Sequence, residues 1–242
     1  MSYFQTGKER ARQVNLLFDR IASRYDLIND IQSFGMHRIW KKWLWLLSQP
    51  KRDDKVLDVC CGTGDIAFLF AEKGCEVTGV DFSEEMLKVA LTRASSLNSQ
   101  RKPLSTHFQQ ADALALPFDD NSFDIVTIGY GLRNLANIGV GLKEMHRVLK
   151  PGGKLLILEF GKPDNRLLRA LYFGYLRIAV PLFGSIFCGN SAAYAYILES
   201  LNHYPAQRGV HSALHQLGFA NVRITNFLGG AMSINYAEKP VV

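Results

Sequence analysis

From residue 55 onward the chain alternates between two apolar periods. Short, nearly continuous apolar runs at Lys55–Val59, Glu76–Val80, Thr106–Gln110, Phe123–Gly129 and Lys154–Phe160 predict strands covered on both faces. Between them, Asp65–Lys73, Glu84–Ser95 and Ile138–Leu149 carry apolar residues at helical spacing. Ser83 is a candidate N-cap ahead of Glu84 and Glu85, and Pro151-Gly152-Gly153 stops a helix and turns the chain into the next strand. This βαβ alternation predicts an α/β fold built on a mostly parallel sheet. Residues 1–50 read as two helices, the second carrying Trp40, Trp43 and Trp45. Past Gly161 the alternation lapses over two aromatic-rich helical stretches, Leu167–Phe187 and Ala192–Tyr204, which read as an insertion. It resumes with a helix at Val210–Leu217 and strands at Ala220–Phe227 and Met232–Glu238. The Gly229-Gly230 connection between those strands implies an antiparallel hairpin, and so one reversed strand in the sheet. The expected organisation is one domain over 1–242. A helical cap (1–54) precedes the ligand-binding core (55–160), a substrate-side helical insertion (161–205), and a closing helix and strand hairpin (206–242).

Composition narrows the class. The 242 residues are 48% hydrophobic and 21% charged, which is globular. Net charge is +6, distributed as +4 over residues 1–54, −2 over 55–150 and +4 over 151–242. Basic flanks around an acidic centre suit an anionic surface such as a membrane or nucleic acid, or simply a solvated exterior. The first 24 residues lack the apolar core of a secretory signal. The uncharged stretch Ile178–Leu198 is interrupted by Pro181, Gly184, Gly189, Asn190 and Ser191, and is expected to be buried or interfacial rather than membrane-spanning. Cys60, Cys61, Cys75 and Cys188 have neither disulfide nor zinc spacing and read as reduced; no metal site is expected.

The chemistry concentrates where the first strand runs through a glycine turn into a helix, Val56-Leu57-Asp58-Val59-Cys60-Cys61-Gly62-Thr63-Gly64-Asp65. Gly62 and Gly64 allow backbone to approach a ligand at the carboxyl end of that strand. Ala67 stands where a dinucleotide fingerprint would have its third glycine. Asp65 disfavours a pyrophosphate and suits a positively charged ligand. Asp81, before Phe82, ends the second strand, where a carboxylate can accept both hydroxyls of a ribose. Asp112 follows the third strand and can accept from an adenine amino group, with Ala113 and Leu114 beside the ring. A ribose, an adenine and a cation without phosphate describe S-adenosyl-L-methionine, released as S-adenosyl-L-homocysteine. Asp58, Gly62, Thr63, Gly64, Asp81, Phe82, Asp112 and Ala113 form the candidate cofactor set. Each alone also has a structural explanation, since strand-end aspartates often cap helices.

With those residues in place, the chain resembles the class I S-adenosylmethionine-dependent methyltransferases, and within them the UbiE/MenG family of quinone-ring C-methyltransferases. The resemblance spans nearly the whole chain. It rests on Tyr25-Asp26-Leu27-Ile28-Asn29 with Ser33, Gly35, His37 and Trp40-Lys41; on the glycine loop; and on Ala113 to Phe118. It continues through Gly131-Leu132-Arg133-Asn134, Arg147 to Gly153, Leu158-Glu159-Phe160 and Tyr194 to Pro205. It implies a Rossmann-like seven-stranded sheet with an antiparallel last strand, and cofactor contacts from Thr63, Asp81, Asp112 and Ala113. This chain departs from the family pattern at Gly129, where several members carry serine, so no side-chain contact is assigned there.

The implied reaction places a quinol ring carbon in line with the sulfonium methyl, in a dry pocket. Arg133 is the candidate cation for a developing phenolate, Asn134 a donor to a quinol oxygen, and Tyr25, Asp26, Asn29 and His37 a polar set closing the site, with His37 also a candidate proton carrier. An ion pair for Arg133, and packing or capping roles for His37 and Tyr25, are the alternatives. Leu167, Leu168, Leu171, Phe173, Leu176, Ile178, Leu182, Phe183 and Phe187 suit a polyprenyl tail or an apolar lid, and Arg166, Arg169 and Arg177 suit lipid phosphate. The expected substrate is a polyprenylated quinol, with naphthoquinol preferred over benzoquinol from Gly129-Tyr130-Gly131 and Gly229 to Met232. Methylation of another lipid and a non-catalytic adenosine-ligand-binding subunit are the competing functions. Nucleic acid is disfavoured by the absence of a base-flipping tetrad and of any long basic run. The expected setting is the cytoplasmic face of an anionic membrane, or a plastid after loss of a transit peptide. Oligomeric state is open, a homodimer included.

Overall fold

The computed structural model describes residues 8–100, 104–188 and 192–241. The side chains of 8–11, 13, 100, 179–188 and 192–197 fall outside that description. The expectations placed on Leu182, Phe183, Phe187, Cys188 and Tyr194, and on Gly189 to Ser191, therefore lie outside the described residues.

Seven strands form one sheet: β1 (Lys55–Val59), β2 (Glu76–Asp81), β3 (Thr106–Gln110), β4 (Phe123–Gly129), β5 (Leu149–Phe160), β6 (Ala220–Phe227) and β7 (Met232–Glu238). Their order is β3-β2-β1-β4-β5-β7-β6, with β7 antiparallel to both neighbours. Chain direction across the sheet reverses between β1 and β4, the switch point where sheets of this kind leave a crevice at the strand carboxyl ends.

The helices are α1 (Lys8–Ile21), α2 (Tyr25–Ser33), α3 (Met36–Ser48), α4 (Asp65–Ala71), α5 (Glu84–Gln100), α6 (Ile138–Val148), α7 (Arg166–Cys188), α8 (Ala192–His203) and α9 (Ala206–Gln216). Alternation along the strands divides the core between the two faces. On β5, Leu155 and Ile157 pack with Leu142 and Met145 of α6 and Val210 and Leu214 of α9. Leu156 and Leu158 pack on the other face with Trp40 and Leu44 of α3 and Phe68 and Phe70 of α4. Leu44 and Phe70 are wholly buried, so truncating either to alanine costs about 2–5 kcal/mol.

Several boundaries differ from the sequence expectation: α5 runs on to Gln100 rather than Ser95, α9 begins at Ala206 rather than Val210, and two further differences have a physical cause. The N-terminal segment forms three helices instead of two, because α2 ends on consecutive left-handed residues, Phe34 (φ 49°) and Gly35 (φ 73°), before α3 restarts. Helical periodicity carries across such a break and hides it. In addition, α6 passes directly into extended backbone at Leu149, five residues before the expected strand start at Lys154. Pro151-Gly152-Gly153 lies within a bulge, where the pairing with β4 jumps from Phe123↔Leu149 to Ile125↔Lys154.

Candidate active site

The turn after β1 contains three left-handed residues, Cys60 (φ 54°), Gly62 (φ 55°) and Gly64 (φ 87°). At Gly64 the requirement for glycine is steric as well as conformational. A Cβ there would stand 2.8 Å from the Phe68 ring and 3.2 Å from that of Phe108.

Above this turn lies a cavity of about 520 Å³, walled by Gly62, Asp81, Phe82, Asp112 and Ala113 from the core and by Arg12, Phe18 and Tyr25 from the cap. Asp81 is fixed by backbone donors, with Oδ2 accepting from Gly62 N (2.8 Å) and Oδ1 from Ser83 N (2.9 Å). Burial pushes its carboxyl upward against those hydrogen bonds. Asp112 Oδ1 accepts from Leu114 N at 2.9 Å. Because backbone groups hold both carboxylates, each retains lone pairs toward the cavity.

Three of the expected cofactor residues do not line this cavity. Asp58 lies within the sheet, opposite Thr127 of β4, whose Oγ1 donates to Asp58 Oδ1 at 2.8 Å. Burial raises its carboxyl to about 7. Thr63 is buried beneath the cap and donates to Asp26 at 2.7 Å. Gly64 contributes shape rather than surface. The expectation that Asp65 offers its charge to a cationic ligand also fails, because Lys41 and Arg93 each approach it at 2.7 Å. These two cations outweigh burial and bring Asp65 down to about 2.

The same contacts latch the cap to the rim. Arg93 bridges Asp65, Asp26 and the Thr63 carbonyl, while Lys41 of α3 reaches Asp65. Ser83 donates to Asp19 of α1 at 2.6 Å and accepts from Met86 N at 3.1 Å, which makes it the N-cap of α5.

A second, more apolar cavity of about 350 Å³ adjoins the first, lined by Ile28, Trp40, Phe160, Leu176 and Met232 among others. Phe18, Tyr25 and Tyr130 line both cavities and form the wall between them. Burial pushes the Tyr25 phenol up to about 12, so it stays protonated at neutral pH. Tyr130 is non-glycine backbone at φ 60°, strain of about 1–3 kcal/mol that the surrounding packing maintains.

Arg133 lines the second cavity and Asn134 the first, although they are neighbours on one turn, Leu132–Asn134. Arg133 is ion-paired. Its Nη1 donates to Glu159 Oε1 at 2.5 Å and to the Tyr130 carbonyl at 2.8 Å, and its guanidinium lies 4.7 Å over the Phe160 ring. Both partners of the pair are almost wholly buried. The ion pair weighed for Arg133 is thus present, with a strand carboxylate as its partner. His37 lines the second cavity with its Nε2 2.8 Å from Asp30 Oδ1. Sequence reasoning missed Tyr130 and Tyr172 as cavity-lining groups, and Glu159 and Asp30 as the partners behind Arg133 and His37. For Glu159 a signal existed, since a carboxylate within the apolar run Leu155–Phe160 needs a buried partner.

The profile of the ubiE/COQ5 methyltransferase family matches residues 5–239. The demethylmenaquinone methyltransferase of Staphylococcus aureus (strain JH9) is 38% identical over 238 residues, covering 96% of each chain. Among solved structures, a SAM-dependent methyltransferase from Aquifex aeolicus superposes with a TM-score of 0.63 at 18% identity, covering 90% of this chain and 98% of its own. A phosphoethanolamine N-methyltransferase 2 from Haemonchus contortus, holding S-adenosylhomocysteine, gives 0.62 at 19% identity over 83% of this chain and 52% of that one. At such identities the two structures share a fold with this chain.

Proposed function

Since the chain belongs to the ubiE/COQ5 methyltransferase family and is an S-adenosylmethionine-dependent methyltransferase, we propose that it methylates a ring carbon of a polyprenylated quinol, converting demethylmenaquinol to menaquinol. The observation carrying this reading is the contact of two unlike cavities across Phe18, Tyr25 and Tyr130, one edged by strand-end carboxylates and the other apolar.

The first cavity suits the methyl donor. Asp81 is placed to accept the ribose hydroxyls, Asp112 with Ala113 to border the adenine, and Gly62 to let backbone approach. Phe82 covers the rim. Asn134 is assigned to the donor side, because it lines that cavity. When bound, S-adenosylmethionine supplies an electrophilic methyl on sulfur.

The second cavity suits the quinol ring. Its apolar lining favours a ring over water, and a ring held there meets the donor across the tyrosine wall. Tyr25, as a neutral phenol, donates a hydrogen bond at that boundary. Arg133 acts as a positioning residue, holding the Tyr130 carbonyl and Phe160 in place from its pair with Glu159. The prenyl tail leaves by the mouth between Phe34, Tyr175 and Leu228, all exposed. Leu167, Leu171 and Ile178 form an exposed apolar stripe on α7, beside Arg166 and Arg177, and this surface seats on an anionic bilayer, whereas Arg169 is held by the Pro163 and Asp164 carbonyls. No helix among the described residues is long and apolar enough to cross a membrane.

Incubation with a methyl-labelled donor and reduced demethylmenaquinone, a reduced benzoquinone analogue and unrelated lipids tests the reading. Label is expected in the naphthoquinol, and its absence from every reduced quinone refutes the proposal.

A further inference from the structure

Buried polar atoms without a hydrogen-bond partner collect around the second cavity. Gln32 Nε2, His37 Nδ1, Tyr130 OH and Tyr172 OH are all of this kind, and all belong to residues lining it. Folded proteins satisfy nearly all such groups, so a concentration around one cavity points to a ligand that completes them. Three of the four can donate. His37 Nδ1 is different, and its state follows from its neighbours.

Asp30 accepts from Arg38 through both oxygens, at 2.7 Å each, which keeps it ionised. An ionised carboxylate only accepts, so the His37 nitrogen facing it, Nε2, carries the ring proton. Nδ1 is then a bare lone pair. Burial and the Lys41 charge hold the imidazole below its ordinary value, so it is neutral at pH 7. The groups acting on it are Asp30 from α2, Lys41 from its own helix α3 and Asp65 from α4, with Arg38 acting through Asp30. The other polar groups lining the cavity include Tyr25, Tyr130, Tyr172 and Arg133, the last paired with Glu159.

We propose that the Asp30–His37 pair is the proton acceptor for a hydroxyl on the acceptor ring, and that the site selects rings bearing a free hydroxyl. This rests on the reading that the second cavity holds the quinol. In the step, the ring O–H bond breaks and an N–H bond forms at Nδ1, while the electron pair stays on oxygen and delocalises to the neighbouring ring carbon. The imidazolium is balanced by Asp30. Nothing is oxidised or reduced. His37 is thus the catalytic group and Asp30 the positioning residue that fixes its tautomer.

The test needs no turnover. In ¹⁵N-histidine-labelled protein with S-adenosylhomocysteine present, titration with 1-naphthol should move the His37 Nδ1 resonance from a bare to a hydrogen-bonded imine position, and naphthalene should leave it in place. Spectra of His37→Gln assign the signal. In kinetics on the reduced quinone, His37→Gln should lower kcat on the order of 10²–10⁴-fold with donor affinity unchanged, and should abolish the loss of activity on acidification. An Nδ1 resonance that responds equally to 1-naphthol and naphthalene, in wild-type protein that turns over demethylmenaquinol, overturns the inference and leaves the proposed reaction standing. Wild-type protein that methylates no reduced quinone overturns that reaction instead.

Discussion

Replacing Asp58 with asparagine should change the pH dependence of stability without removing methyl-donor binding. Asp58 is about 1% exposed and its carboxyl is raised from 3.8 to about 7, chiefly by burial. A group whose pKa rises on folding contributes stability that is complete below its unfolded value. That contribution fades between the two values and is gone above the folded one. The gap between 3.8 and about 7, at 1.36 kcal/mol per unit, corresponds to about 4 kcal/mol lost by the wild type from pH 4 to pH 7. Asparagine keeps an oxygen for the Thr127 hydroxyl and has no proton to lose. The difference in unfolding free energy, Asp58→Asn minus wild type, should therefore climb through this window and level off above pH 7. Urea unfolding at pH 4.5, 6 and 8 measures it, and subtracting the wild type cancels the other carboxylates. Calorimetry with S-adenosylmethionine should give similar affinities for both proteins. A stability difference independent of pH would refute the burial argument, and a loss of donor affinity would return Asp58 to the cofactor site.

Asp81→Ala should weaken donor binding by about 10- to 100-fold, the loss of charge-assisted hydrogen bonds worth about 1.5–3 kcal/mol, and unchanged calorimetric affinity would remove Asp81 from the site. Glu159→Gln should destabilise the fold by about 3–5 kcal/mol by leaving the Arg133 charge buried, whereas replacing both partners with apolar residues of similar volume should recover most of that; thermal unfolding distinguishes the two. Ser83→Ala should cost about 1 kcal/mol in denaturant unfolding through the lost N-cap of α5, and a result within 0.5 kcal/mol of wild type would contradict the capping geometry.

The sheet was readable because its strands carry a strong local signal. Lys55–Val59, Thr106–Gln110, Phe123–Gly129, Ala220–Phe227 and Met232–Glu238 fall where periodicity placed them. Gly229-Gly230 marked the hairpin that places the reversed strand β7 between β5 and β6. What escaped is non-local. Nothing in the sequence around Asp65 announces that Lys41 and Arg93, 24 residues before it and 28 after, will converge on it. The pairing of Asp58 with Thr127, 69 residues away, depends on which strand lies beside β1. Tyr130 adopts a backbone conformation that tyrosine rarely takes, so residue type alone could not flag it.

Asp81, Asp112 and Gly62 belong to the βαβ core, whereas the second cavity is walled largely by α2, α3, α7 and the turn between β6 and β7. The strand-end carboxylates and most of the second cavity's wall therefore occupy different stretches of the gene. Mutational drift, or a deliberate exchange of the segments around residues 25–40 and 166–178, can remodel the acceptor pocket while the donor-holding strand ends stay as they are. Among the described residues, only Phe18, Tyr25 and Tyr130 are common to both cavities, so these three side chains bound how independently acceptor and donor recognition can evolve.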